Sequence, residues 1–275
     1  MAKSGAKRVE EAIKEANARG EAALVPFIEG ADPDLETTAE LLWTLAEAGA
    51  DVIELGFPFS DPLADGPTIQ EAAQRALKNR PTLEDFLSLM ARMRKEGFKT
   101  PVVIMGYFNP FYRFGLERFA EEASKAGVDG AIIPDLPLEE AKPWLRLAKK
   151  KGLAAIMLAA PTTPPERIEA IAKASTGFLY YVSVTGITGA RDRLPEDLAL
   201  KLDLAREVSP VPVAVGFGIS KPEQVRFLAP HADAIVVGSA LVKIVAKYVS
   251  DRARLVRELG KFVKDFKEAT KWAQR

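Results

Sequence analysis

The chain has no cysteine and a single histidine, His231, in 275 residues. Disulfides and thiolate metal sites are thereby excluded, and a reducing compartment suits the sequence. A multi-histidine metal site has almost nothing to draw on. Net charge is lacking too: 38 Lys and Arg balance 38 Asp and Glu. Neither nucleic acid nor an anionic membrane surface is therefore an expected partner. No apolar stretch reaches bilayer-spanning length. The opening MAKSGAKRVEEAIKEANARG has no apolar run, unlike a signal peptide. The expected location is cytoplasmic. No linker or low-complexity tract interrupts the chain, so 1–275 reads as one domain.

What is present is a rhythm. Eight short apolar runs recur: AALVPFI (22–28), DVIELGF (51–57), PVVIMGY (101–107), GAIIPD (130–135), AAIMLA (154–159), LYYVSV (179–184), VPVAVGF (211–217) and AIVVGSA (234–240). They are rich in Val, Ile and Ala and nearly continuous in hydrophobicity, as parallel strands buried on both faces are. Amphipathic stretches long enough for crossover helices lie between them. An open doubly wound sheet and a closed barrel both fit that alternation. The count of eight favours the barrel, and the first strand lacks the Gly-rich fingerprint of the open sheet. The spacing predicts a (β/α)₈ barrel with an extra helix over 5–19 capping its bottom. Between strands 2 and 3, Thr82 and Asp85 have capping-box spacing and predict a fresh helix.

In such a barrel the chemistry sits at the C-terminal ends of the strands. Glu54 stands out there, inside the apolar run VIELGF. Val52, Glu54 and Gly56 share one face of the strand. A carboxylate in that position is costly unless bonded, protonated or paired. It reads either as a buried Glu satisfied by backbone or Arg, or as a general acid/base with a raised pKa. Asp65 lies in the following loop, PFSDPLADGPTIQ (58–70). Taken singly it reads as a turn former; its place over the mouth gives it a second, catalytic reading. Two carboxyls in different surroundings can hold different protonation states, as acid/base work requires.

Gly-containing loops follow strands 6, 7 and 8: SVTGITGARDR, GFGISKPEQV and VGSALVK. Gly lets backbone approach an anion, and helix starts present N–H groups to it. Ser220 reads as an N-cap before Pro222. Lys221 and Lys243 read first as exposed helical lysines and second as phosphate ligands. Phe27, Tyr107, Tyr180 and Phe217 fall at similar heights near strand ends. They read as core or as walls for a flat aromatic ligand. His231, just before strand 8, reads as structural.

The segment ELGFPFSDPLADGPTIQEA (54–72) strongly resembles the signature of the tryptophan synthase alpha subunit family. So do PDLPLEE (134–140), GITGAR (186–191), GFGIS (216–220) and ADAIVVGSALV (232–242). The resemblance runs over essentially the whole chain. It implies cleavage of indole-3-glycerol phosphate to indole and glyceraldehyde 3-phosphate, with no cofactor and no metal. By position it implies Glu54 as acid/base and Asp65 as stabiliser of positive charge at the indole nitrogen. It implies Phe27, Tyr107, Tyr180 and Phe217 as pocket walls, and Thr188 on a loop closing over substrate. Gly189, Gly218, Gly238 and Ser239 are implied as the phosphate cradle. It also implies a beta subunit carrying pyridoxal phosphate in an alpha2beta2 assembly, with 58–62 at the interface. A lyase that releases indole alone, and a weakened barrel that mainly activates the beta subunit, are the alternatives. One departure bears on them. The family reads close to T-A-G-D-P after strand 1, whereas this chain has Glu29-Gly30-Ala31-Asp32-Pro33. A third carboxylate there would repel Asp65 and raise one of the pKa values. Gly106 is a second unusual residue, expected to enlarge the pocket.

Overall fold

The computed structural model describes residues 3–183, 195, 197–216 and 218–272. Among them lie nine parallel strand segments: β1 (Ala23–Glu29), β2 (Ile53–Gly56), β3 (Val102–Met105), β4 (Gly130–Ile132), β5 (Ala154–Ile156), β6 (Leu158–Ala159), β7 (Leu179–Val182), β8 (Val213–Gly216) and β9 (Ala234–Val237). Their order is β5-β4-β3-β2-β1-β9-β8-β7-β6. The two ends of that sheet are neighbours in sequence, separated only by Met157. The Met157 amide donates to Ser175 Oγ at 3.3 Å, while its carbonyl accepts the Tyr180 N–H at 3.0 Å. One stave of an eight-stave barrel is thus interrupted at a single residue, and the ring closes through it. Each of the eight apolar runs supplies one stave.

The period of two along each strand divides the core in two. Val25, Phe27, Val52, Val103, Ile132, Ile156, Tyr180 and Val236 fill the interior. Leu24, Ile28, Ile53, Leu55, Ile104, Val215 and Ile235 pack outward against the helices. Near-continuous hydrophobicity in the sequence has this cause: both faces are covered.

Twelve helices surround the strands: α1 (Gly5–Ala18), α2 (Leu35–Glu47), α3 (Pro67–Leu77), α4 (Leu83–Lys95), α5 (Phe108–Phe114), α6 (Leu116–Ala126), α7 (Lys142–Lys151), α8 (Pro165–Ala174), α9 (Leu198–Val208), α10 (Pro222–Leu228), α11 (Ser239–Tyr248) and α12 (Arg252–Ala269) among the described residues. α1 is the expected extra helix. Its buried face, Val9, Ile13 and Ala16, joins the interior cluster and stops the barrel bottom. α4 starts with the expected reciprocal Thr82–Asp85 capping box. α6 and α7 end at Gly127 and Gly152, both left-handed, a conformation that glycine adopts without a Cβ penalty. No described helix is long and apolar enough to cross a membrane.

The bottom carries a device that the sequence reading passed over. Asp51, Asp129 and Asp233 stand just before β2, β4 and β9. Each carboxylate accepts a backbone N–H near the start of the preceding stave, Leu24, Val102 or Val213, always at 2.8 Å. Each also meets cations from the helical layer. Arg19 and Lys267 reach Asp51 at 3.2 and 2.7 Å. Arg8 and Arg94 reach Asp129 at 3.1 and 2.8 Å. Arg206 reaches Asp233 at 2.9 Å. These clamps fix stave to stave and helix to stave at the end remote from the mouth.

Candidate active site

A cavity opens at the C-terminal end of the staves. Phe27, Glu54, Asp65, Tyr107, Tyr180, Gly218, Gly238 and Ser239 all line it, as do Glu29, Gly56, Ile69 and Met105. Eight of the eleven catalytic and substrate-binding residues expected from sequence therefore converge on one place. The other three, Thr188, Gly189 and Phe217, lie outside the described residues.

Glu54 sits in the middle of β2, opposite Phe27 of β1 and Val103 of β3. It is 1% exposed, and its Oε2 is buried with no hydrogen-bond partner among the described residues. A carboxylate satisfied by neighbouring Arg or backbone does not describe that oxygen. Desolvation first, and the nearby Asp65 charge second, raise the Glu54 carboxyl to about 8.

Asp65 hangs from the loop between β2 and α3. The Tyr107 hydroxyl donates to its Oδ2 at 3.0 Å and accepts the Ala64 N–H at 2.9 Å. Gln70, on α3, donates from Nε2 to the Asp65 carbonyl at 2.7 Å. The loop is thus pinned at both its carboxylate and its backbone. Burial raises the Asp65 carboxyl to about 6, against the Tyr107 hydrogen bond, which lowers it. Burial, with the Asp65 charge, pushes the Tyr107 phenol well up too. Tyr107 was expected as a pocket wall. It also anchors Asp65 across 42 residues of sequence, a link that no local pattern announces.

The walls depend on missing side chains. A Cβ at Gly216 would come within 2.3 Å of the Tyr180 hydroxyl, and one at Gly56 within 2.7 Å of the Phe27 ring. Gly106 lines the cavity, as expected. A Cβ there would lie 3.0 Å from Phe111 and 3.3 Å from Phe57, so this glycine also makes room for those rings.

Glu29 ends β1 in register with Gly56. It is 5% exposed, with Oε1 buried and unpartnered among the described residues. Desolvation, then the charges of Asp65 and Asp32, raise its carboxyl well above the usual range, while Arg75 opposes them. Arg75 itself is held by Asp32, Nε to Oδ1 at 2.9 Å and Nη2 to Oδ2 at 2.7 Å, a bidentate pair joining the β1 loop to α3.

The phosphate signals divide. Gly238 and Ser239 open α11 at the cavity rim, where first-turn N–H groups favour an anion. Before α10 the expected cap is corrected: Lys221, not Ser220, occupies the N-cap ahead of Pro222. The Ser220 and Lys221 N–H groups donate to Gln224 Oε1 at 2.8 and 3.0 Å. A glutamine four residues on competes for them, which the Ser-Lys-Pro pattern did not disclose. His231 lies remote from the cavity and meets Asp203 at 3.0 Å. Among the described residues no group of three or more His, Cys, Asp or Glu is arranged to hold a metal ion.

Fold and site define a (β/α)₈-barrel enzyme of the acid–base kind, with carboxyls of unequal pKa at the mouth. The tryptophan synthase alpha chain family model matches residues 13–271. The tryptophan synthase alpha chain of Citrifermentans bemidjiense is 48% identical over 261 residues, 95% of this chain and 97% of that one. The crystal structure of the Legionella pneumophila alpha chain superimposes with a TM-score of 0.87 at 35% identity, over 98% of each chain. A chain of the Pyrococcus furiosus tryptophan synthase complex does so at 0.81 and 40% identity, over 90% of this chain and 98% of its own. The chain belongs to the tryptophan synthase alpha chain family, a lyase family acting on indole-3-glycerol phosphate.

Proposed function

We propose that the cavity cleaves indole-3-glycerol phosphate to indole and glyceraldehyde 3-phosphate through Glu54 and Asp65. The observation that carries the assignment is the contrast between these two carboxyls. At neutral pH Glu54, at about 8, holds its proton, and Asp65, at about 6, is charged. Glu54 delivers its proton to carbon 3 of the indole ring. Positive charge develops at the ring nitrogen, whose N–H donates to Asp65, and the fixed carboxylate stabilises it. The Glu54 carboxylate then takes the proton of the hydroxyl next to the ring. That oxygen becomes the aldehyde carbonyl as the carbon–carbon bond breaks, and the bonding pair restores the aromatic ring. Glu54 ends protonated, as it began.

Phe27, Tyr107, Tyr180 and Phe217 wall the ring in this reading. Gly189, Gly218, Gly238 and Ser239 hold the phosphate end, and Thr188 closes over the substrate. The steps use side chains and backbone alone, with no cofactor. The whole chain acts as one barrel unit in the cytoplasm. Its partner is a beta subunit bearing pyridoxal phosphate in an alpha2beta2 assembly, and among the solved relatives are a Mycobacterium tuberculosis tryptophan synthase and the Pyrococcus furiosus complex. Glu29 does not argue for a weakened barrel. Burial and the Asp65 charge favour its neutral form, which limits the charge it sets beside Asp65.

Indole release from indole-3-glycerol phosphate, followed by absorbance with and without a beta subunit, tests the proposal. Turnover by the lone chain, accelerated by the beta subunit, is the expected result. No indole under either condition would overturn it.

A further inference from the structure

The cavity holds one carboxyl more than the proposed reaction uses. In that reading, on which this inference rests, Asp65 takes the ring N–H while Glu54 serves the ring carbon and the hydroxyl. Glu29 is left over. Its carboxyl lines the cavity, 5% exposed, with Oε1 buried and unpartnered among the described residues. Strand register puts it opposite Gly56, one pleat nearer the mouth than the Phe27–Glu54 pair. Its Oε2 occupies the space a Cβ at Gly56 would take, 2.8 Å from that position. Glycine at 56 therefore lets the carboxyl lean toward the Glu54 and Asp65 side, where the ring is held. Arg75 faces it from α3 but is bonded through Nε and Nη2 to Asp32.

A buried polar atom penalises a ligand that covers it with apolar surface, and rewards one that bonds to it. Pockets built around such an atom discriminate sharply against analogues that lack the matching group. An indole ring offers one N–H, and Asp65 takes it. We propose that Glu29 is a specificity residue: its carboxyl recognises a second polar group on the ring, so the site takes hydroxyl- or amino-substituted indoles ahead of methyl-substituted ones of similar size. In the protonated form that burial favours, the carboxyl both gives and accepts a hydrogen bond, which matches hydroxyl and amino groups alike.

The test runs the full chain in the synthetic direction, from glyceraldehyde 3-phosphate and ring-substituted indoles. It compares kcat/KM for hydroxy-, amino- and methylindoles substituted at each benzo-ring carbon. The expected result is a preference of about tenfold or more for the polar substituent at one or more positions. Glu29→Gln keeps that preference, because the amide also gives and accepts. Glu29→Met reduces it to about twofold or less, because the thioether offers no comparable partner. The ratio is taken within each variant, so a general loss of rate or stability cancels. Equal or better use of methylindoles at every position by the unaltered chain would overturn the inference, as would a preference that survives Glu29→Met. If unsubstituted indole is not converted at all, the proposed function fails and this inference falls with it. Conversion of indole without a polar preference overturns the specificity role alone.

Discussion

At the scale of single residues, a carboxyl on an inward strand position and one on a loop meet different surroundings, and Glu54 and Asp65 divide accordingly. kcat/KM should rise through about pH 6 as Asp65 ionises and fall through about pH 8 as Glu54 loses its proton; a flat profile across that range would contradict the roles. Glu54→Gln should lower kcat by about 10²- to 10⁴-fold. It should also change how stability follows pH. The folded value of Glu54, about 8, lies above its ordinary 4.5, so the folded chain keeps a proton that the unfolded chain releases. Stability from this group is full below about pH 4.5 and is lost as pH rises through 8. The glutamine variant should lose less stability between those values, which thermal melts at several pH values would register. Tyr107→Phe removes the hydrogen bond that favours charged Asp65, so the acid limb should move up by about one pH unit. Glu54 was legible because a lone carboxylate breaks an apolar run. The Tyr107–Asp65 bond was not, since both residues have ordinary local readings and meet only in the fold.

At the scale of elements, the staves were legible in number, place and direction, because burial on both faces writes itself into composition. The break at Met157 was not, because it turns on Ser175, which arrives from the end of α8. The aspartate clamps were missed for a related reason: Asp before a strand looks like any turn former until its cations arrive from distant helices. Asp129 is 1% exposed and meets Arg8, Arg94 and the Val102 N–H together. Asp129→Leu strands those donors and should cost about 3–5 kcal/mol in urea unfolding. KM for indole-3-glycerol phosphate should stay near its starting value, since the clamp lies at the opposite end from the cavity; a rise in KM with no loss of stability would show a different role.

At the scale of the whole molecule, the eight-stave barrel and its stopper helix followed from periodicity, while the function came from motif resemblance and strand-end placement together. Residues of six staves or of the loops after them make the cavity, and no single segment contains enough of it to be read alone. The outer surface is less explicit. Leu63, in the loop that carries Asp65, is 87% exposed. The family resemblance implies a beta-subunit interface at the adjoining 58–62 stretch, and there Leu63→Ser should weaken the association about tenfold or more. Titration calorimetry would measure it, and lone-chain turnover should stay within about twofold. Unchanged affinity would move the interface elsewhere.

The clamps at Asp51, Asp129 and Asp233 also bear on how readily this barrel takes on new substrates. Its foundations are tied by charge and backbone at one end, and its chemistry is written at the other. A library that randomises cavity residues such as Phe27, Glu29 and Met105 should yield a high share of folded chains. The same freedom given to the three aspartates should yield few. Such a chain can lose one specificity and acquire another without first losing its fold.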